Sequence, residues 1–288
     1  MPLLNGTDLL PSIGHTLEDA SLPRTAVLTC DIEPDYGGRT GTAELLREKR
    51  FTAELMRWCG DRSLPLSAFV VTSLLGERLP AVDALRDGGI DVHCHAHTHN
   101  VRTYFQHSRE EIARSQEAFT AFFGASATGY RAPQGILLPG DDTALAQNGF
   151  LFDSSVFPGR RPGLFDCRTL PLTPWEWRSG VLELPLAATA RRRLLTLSHL
   201  KLRGKTLWQS ILRQDALPPI LIVDSHLHDF FPPSSAAGLP WTLRLAYARN
   251  RTKGFALLEW LLDVLRERGY RFQSMTGLAQ TLREALRA

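Results

Sequence analysis

Four histidines fall within seven residues at His93-Cys94-His95-Ala96-His97-Thr98-His99, a density that points to metal chemistry. Neutral imidazole is the commonest protein ligand for zinc and similar divalent ions. Two pairs, His93/His97 and His95/His99, have i, i+4 spacing, so on a helical turn either pair would share a face and chelate one ion. The run follows Gly89-Ile90-Asp91-Val92, which reads as a short buried strand. It therefore sits at a strand end, where α/β proteins carry their chemistry. Upstream, residues 26–30 read as another apolar strand, running into Asp31-Ile32-Glu33-Pro34-Asp35. Three carboxylates at alternate positions offer a metal ligand and a general base, and a nearby cation lets such neighbours stay ionised. Without the histidines, the same acids would read as a solvated loop.

Two further segments complete the set. Gly129-Tyr130-Arg131-Ala132-Pro133-Gln134-Gly135 joins one arginine to residues that stiffen a turn. A guanidinium there suits the orienting of Asp31, and fixed backbone N–H groups suit a developing oxyanion. The β-branched run Ile220-Leu221-Ile222-Val223 leads into Asp224-Ser225-His226-Leu227-His228-Asp229. His226 or His228 is the candidate general acid.

In content and order these segments resemble the motifs of the polysaccharide deacetylase family, the family-four carbohydrate esterases typified by the nodulation-type chitooligosaccharide deacetylase. Thr29-Cys30-Asp31-Ile32-Glu33 is similar to the first motif in its Asp-x-acid form. His95 to His99 resembles the second, Arg131-Ala132-Pro133 the third, Phe152-Asp153-Ser154-Ser155 the fourth, and Ser225-His226-Leu227-His228 the fifth. The resemblance spans residues 25–275 and implies an α/β fold, an irregular (β/α) barrel of seven or eight mostly parallel strands, as a single domain over 25–288. It implies Glu33, His95 and His99 as ligands of one divalent metal ion, zinc first, with cobalt, manganese or nickel able to use the same donors. His93 and His97 then become supporting neighbours. Asp31 is implied as general base, His226 as general acid, and Arg131 as the partner that positions Asp31. Asp35, Pro133, Gln134, Asp153 and His228 fall to substrate binding or support. Three departures stand out. Gln134 occupies a place where the family commonly has tyrosine, Asp153 lacks the usual neighbouring tryptophan, and Asp35 competes with Glu33 as the acidic ligand.

The elements that must hold these residues alternate along the chain. Strands are expected at 66–72, 150–152, 181–186, 220–223 and 270–273. Helices are expected at 42–58, 79–86, 141–147 and 255–268, with another running to 123 from a capping box at Ser108-Arg109-Glu110-Glu111. Such alternation argues for a parallel sheet or barrel. A chain of 288 residues, 43% hydrophobic, can bury one large core. Residues 1–24 read as a poorly patterned N-terminal extension. The 4 cysteines are irregularly spaced and do not suggest a disulfide framework. With no signal-peptide pattern and no apolar run of about 18 residues, a cytoplasmic location is expected. A net charge of +3 gives no argument for nucleic acid.

Residues 188–216 read as a basic amphipathic insertion. Arg191, Arg192, Arg193, Lys201, Arg203, Lys205 and Arg213 lie there without an acid over 191–213, and Leu207, Trp208, Ile211 and Leu212 form an apolar stripe. Trp241 and Leu243 with Arg244, Arg249, Arg251 and Lys253 have the same character. A basic segment with an apolar face suits peripheral docking on an anionic membrane at its inner side, or contact with a lipid-linked substrate. Alternatively, the stripe packs on the barrel. The expected reaction is removal of an N-acetyl or N-formyl group from an amino sugar, on a lipid-linked or nucleotide-linked precursor. An amidase of small non-sugar amides, or a non-catalytic glycan-binding or scaffold protein on the same barrel, are the alternatives.

Overall fold

A computed structural model describes residues 4–17 and 22–287. Its centre is β1 (Thr25–Ile32), an apolar, β-branched segment buried along its whole length. Around it stand β2 (Leu66–Val70), β3 (Asp91–Cys94), β4 (Gly129–Tyr130), β5 (Phe152–Asp153), β6 (Leu182–Glu183) and β7 (Ile220–His226). They run in the order β7-β1-β2-β3-β4-β5-β6, every pair parallel. Just past β6, Leu186 bridges to Ile222 of β7, and the Ala187 N–H donates to the Ile222 carbonyl. The two edges of the curved sheet meet there, which gives the expected irregular barrel.

The helices are α1 (Lys49–Gly60), α2 (Pro80–Asp87), α3 (Val101–Phe123), α4 (Asp141–Gln147), α5 (Leu197–Arg203) and α6 (Lys205–Gln214), which lie in the crossovers between strands, and α7 (Leu227–Phe230), α8 (Trp241–Ala248), α9 (Gly254–Glu267) and α10 (Met275–Arg287), which follow β7. The long α9 shows why they form: Leu257, Leu258, Leu261, Leu262 and Leu265 make one buried stripe at helical spacing. Two expected boundaries move. The stretch 42–58 divides into a 3-10 turn, Glu44–Arg47, and α1. The helix expected to open at Ser108 starts earlier, where the Asn100 side chain accepts from the Arg102 and Thr103 N–H groups. The Ser108 hydroxyl donates instead to Asp141, beside a kink at His107.

The basic segment is not an insertion with a free apolar face. α5 and α6 are the crossover between β6 and β7, and Leu197, Leu200, Trp208, Ile211 and Leu212 are buried against the barrel. Only Leu207 of the stripe faces out, at 50% exposure. Burying each large apolar side chain is worth about 1.5–3 kcal/mol, against about 1 kcal/mol for each charge near a lipid surface. Packing wins. The expected extension is also tied in. Leu4–Asn5 pairs with Phe165–Asp166, and Ile13–Thr16 pairs with Trp175–Trp177, a strand antiparallel to β6. Leu4, Leu9 and Leu17 are buried, while residues 18–21 of that stretch lie outside the described residues. No described helix is long and apolar enough to cross a membrane. Cys30, Cys59, Cys94 and Cys167 are all free and buried.

Candidate active site

In-register parallel pairing assembles the site. Asp31 lies opposite His226 across β1–β7, and opposite Phe69 across β1–β2. Cys94 pairs with Tyr130, so His95 and Arg131 leave neighbouring strands side by side, and the Arg131 N–H donates to the Cys94 carbonyl. All of these groups emerge at the C-terminal strand ends, where a barrel opens. Asp31, His95, Arg131 and His226 line a cavity of about 450 Å³.

Glu33 is the hub. Its carboxylate lies 2.8 Å from His99 Nε2, 3.6 Å from His95 Nε2 and 3.6 Å from His226 Nε2. His95 Nδ1 faces the Arg131 carbonyl at 3.0 Å, and His99 Nδ1 faces the Gly37 carbonyl at 3.2 Å. A carbonyl can only accept, so each Nδ1 carries a proton and each Nε2 faces inward, where a divalent ion could take the place of any proton it shares with Glu33. The two Nε2 atoms and one Glu33 oxygen lie within 4.8 Å of one another. Two imidazoles and a carboxylate with fixed tautomers fit a divalent ion and leave further coordination positions free. Gly37, at φ +71, allows the carbonyl its approach; a Cβ there would meet His99 Cε1 at 3.1 Å.

Arg131 organises the acids. One Nη1 donates to Asp31 at 2.6 Å, Asp224 at 3.1 Å and Thr29 at 3.0 Å, while Nε donates to the Ser154 carbonyl and Nη2 to the Ser154 hydroxyl. Its guanidinium lies over the Phe69 ring and is 2% exposed. The Asp31 oxygen not held by Arg131 faces His95 Nε2 at 3.5 Å. Burial and the nearby Asp31 push Asp224 up to about 7, against the pull of His226 and Arg131.

Electrostatics separates the two candidate acids. Burial works against charge on His226, yet Asp224, Glu33 and Asp229 together raise it well above the ordinary histidine value. Asp229 Oδ2 lies 3.4 Å from His226 Nδ1 and holds the ring. His228 stacks on His226 at 4.8 Å, and burial followed by that neighbour pushes it down to about 4. His226 therefore keeps a proton and His228 stays neutral. Burial opposes ionisation of Glu33 too, but His99 and His226 hold it well below the usual carboxylate range.

Other expected residues sit elsewhere. Asp35 accepts from the Thr42 and Ser235 hydroxyls and the Glu44 N–H, so it fixes a loop and leaves Glu33 as the acid beside the imidazoles. His93 lies on the same interior face as Phe69 but deeper in the barrel than His95, 3.0 Å from Asp91 and packed between Phe69 and Phe152, below the cavity. His97 meets the Thr72 hydroxyl at 3.1 Å. Pro133 opens a 3-10 turn in which Gln134 adopts a left-handed conformation, φ 54, and Gln134 lines the cavity. Asp153 is fully buried and reaches the site indirectly, accepting from Ser155, whose oxygen accepts the Ala132 N–H. Its register partner is Glu183; burial, and for Glu183 the neighbouring Asp153, raises the pair, Asp153 to about 6, so the two carboxyls hold a proton between them. Asp224, Asp229 and Glu183 escaped the sequence expectations. For Asp224 a signal existed, since it stands two residues before His226 on one strand and so shares its face.

Fold and site define a class: a (β/α) barrel with imidazoles, carboxylates and one arginine gathered at its mouth. The family resemblance is borne out, because the polysaccharide deacetylase model matches residues 19–150, which hold Asp31, Glu33, His95, His99 and Arg131. Among solved structures, the chain is similar to a candidate polysaccharide deacetylase from Mycobacterium smegmatis, with 18% identity over 95% of each chain and a TM-score of 0.60. It is also similar in fold to the Puue allantoinase, with 14% identity over 90% of each chain and a TM-score of 0.54. No curated protein matches the sequence.

Proposed function

We propose that the protein hydrolyses the N-acetyl or N-formyl group of an amino sugar. The carrying observation is the inward-facing set of Glu33, His95 and His99 beside the Asp31–Arg131 pair, with protonated His226 across from it. Those three donors would hold a divalent ion, zinc first, which supplies Lewis acidity to water and to the amide carbonyl. Asp31, oriented by Arg131, takes the proton of the attacking water. In the turn after Arg131 the N–H groups of Ala132, Gly135 and Ile136 are already donated and Pro133 has none, so the Gln134 N–H is the backbone group left for the developing oxyanion. His226, held by Asp229, gives its proton to the departing amine as the C–N bond breaks. The polysaccharide deacetylase match supports acetylated sugars as the substrate class.

Within that class we favour a precursor joined to a lipid or nucleotide, handled by a cytoplasmic enzyme at the inner face of the membrane. With the α5–α6 stripe buried, apolar contact falls to Trp241 and Leu245 of α8, exposed by 67% and 61% and flanked by Arg244. Asp31→Asn tests the reaction. A deacetylase loses turnover on acetylated amino sugars by roughly a hundredfold to ten-thousandfold while keeping its metal. A wild type that binds such sugars without turning them over would support the non-catalytic reading. Turnover of non-sugar amides alone would support the amidase.

A further inference from the structure

We infer that the mouth of the cavity is an anion subsite, built by Arg39, Arg161 and Arg203, for a diphosphate group that joins the sugar to its carrier. It rests on the amino-sugar reading above and adds what the far end of the substrate must be.

The three guanidinium groups come from separate parts of the chain. Arg39 lies in the loop after β1, Arg161 in the two-residue strand Arg160–Arg161, and Arg203 at the end of α5, yet all line the one cavity. None has a carboxylate within salt-bridge reach or donates a side-chain hydrogen bond among the described residues. Neighbouring arginines differ: Arg168 pairs with Asp166 at 2.7 Å and Arg193 with Asp215 at 3.7 Å. Arg161 links the set. Burial and then Arg39 lower Arg161, while burial followed by Arg203 and Arg161 pushes His199 down to about 4. Like charges gathered in a concave wall without counter-ions repel, and a bound anion removes that repulsion. One carboxylate would balance one guanidinium. Three forks call for a group with several charges and many acceptor oxygens, and guanidinium geometry matches phosphate oxygens.

The reacting end is in the same cavity. Glu33, His95 and His226 line it with the arginines, and Tyr247 is influenced by Glu33 and by both Arg39 and Arg161, so it lies between the two ends. One molecule can thus place its amide at Glu33 and its phosphates at the mouth. Diphosphate diesters come from two sources, nucleotide sugars and prenyl-linked sugars. Beside the arginines, Leu202 and α8, which has no buried residue, present an apolar rim.

Calorimetric titration of the metal-loaded protein with inorganic pyrophosphate, uridine diphosphate and farnesyl diphosphate tests this, with metal content measured after each titration. Pyrophosphate should bind wild type, and Arg39→Ala/Arg161→Ala should weaken it by at least about tenfold; Arg168→Ala, on the same hairpin, should leave it unchanged. Farnesyl diphosphate binding tighter than uridine diphosphate identifies the prenyl source, and the reverse the nucleotide source. Equal pyrophosphate binding by the double variant would assign the anion to the metal donors and overturn the subsite, as would no binding by wild type. Arginine-dependent binding without turnover of any amino sugar would retain the subsite and sink the proposed reaction alone.

Discussion

Arg131→Met removes a buried guanidinium while keeping most of its volume, so the loss is of charge and hydrogen bonds rather than of packing. At an effective dielectric of about 20, pairs at the observed 2.6 and 3.1 Å correspond to about 6 and about 5 kcal/mol of attraction. Desolvation of all three groups offsets much of this, so the net value of the cluster is far smaller. Breaking it is another matter. Methionine leaves Asp31 and Asp224 buried together with His226 as their remaining cationic neighbour, and removing a buried partner in this way costs about 3–5 kcal/mol. Denaturant unfolding at pH 7 should show that loss as a lower midpoint with an unchanged slope. Adding Asp224→Asn removes one stranded charge, and the double variant should recover about 1–3 kcal/mol of it. Asp224→Asn alone should cost little, since burial already pushes that carboxyl up to about 7. An Arg131→Met protein within about 1 kcal/mol of wild type, or strictly additive effects in the double variant, would refute the assignment of Arg131 as the counter-charge of both acids.

Elemental analysis should find one metal ion per chain in wild type and in His93→Ala, and none in His95→Ala; equal loss in both variants would contradict the placing of His93 below the cavity and out of reach of the metal donors. Gly37→Ala should weaken metal binding by about 10- to 100-fold, because it displaces the carbonyl that fixes His99; an unchanged metal titration would show that this carbonyl is dispensable. Asp141 is pushed by burial from 3.8 up to about 6, although Ser108, Tyr104 and the Leu138 N–H bind it. A folded value above the unfolded one means stability that is full below pH 3.8 and lost as pH rises through about 6. Relative to Asp141→Asn, wild type should therefore weaken by up to about 3 kcal/mol between pH 4 and 7, and a difference flat across that range would count against the buried, raised carboxyl.

Much of the site was legible because it hangs on strand ends. The β-branched runs before Asp31 and His226 announce strands, and the polar residues that follow must then lie at the barrel mouth. Spacing could not separate the two histidine pairs, because both are i, i+4. The separation comes from depth: β3 runs through His93 and Cys94, so His93 is held inside the barrel beside Phe69, while His95, past the strand end, reaches the cavity. Asp224 was hidden inside an apolar run where an acid reads as a strand terminus. Asp229 acts through a short helix, α7, whose capping contacts with His226 leave no long pattern. Ser108 misled because its hydroxyl serves Asp141 across a kink. The basic stretch misled differently: its charges and its stripe were both visible, but only the folded chain shows that the stripe is covered while Arg203 reaches the cavity. Arg39 and Arg161 lie far apart in sequence and carry no local signature at all.

The pairing of Leu4–Asn5 has a practical consequence. Those residues complete a three-stranded patch with Phe165–Asp166 and Arg160–Arg161, so the first turn of the chain pins the hairpin that carries Arg161. Trimming the protein to begin at Thr25, a natural choice when only the barrel is wanted, would free that hairpin while leaving β1, β3, β4 and β7 with their reacting groups. On the reaction and the anion subsite proposed above, reactivity and selectivity would then be stored in different stretches of the polypeptide. A shortened barrel would be a less discriminating catalyst rather than a dead one, and amino-terminal fusions or tags become a means of tuning which molecules it accepts.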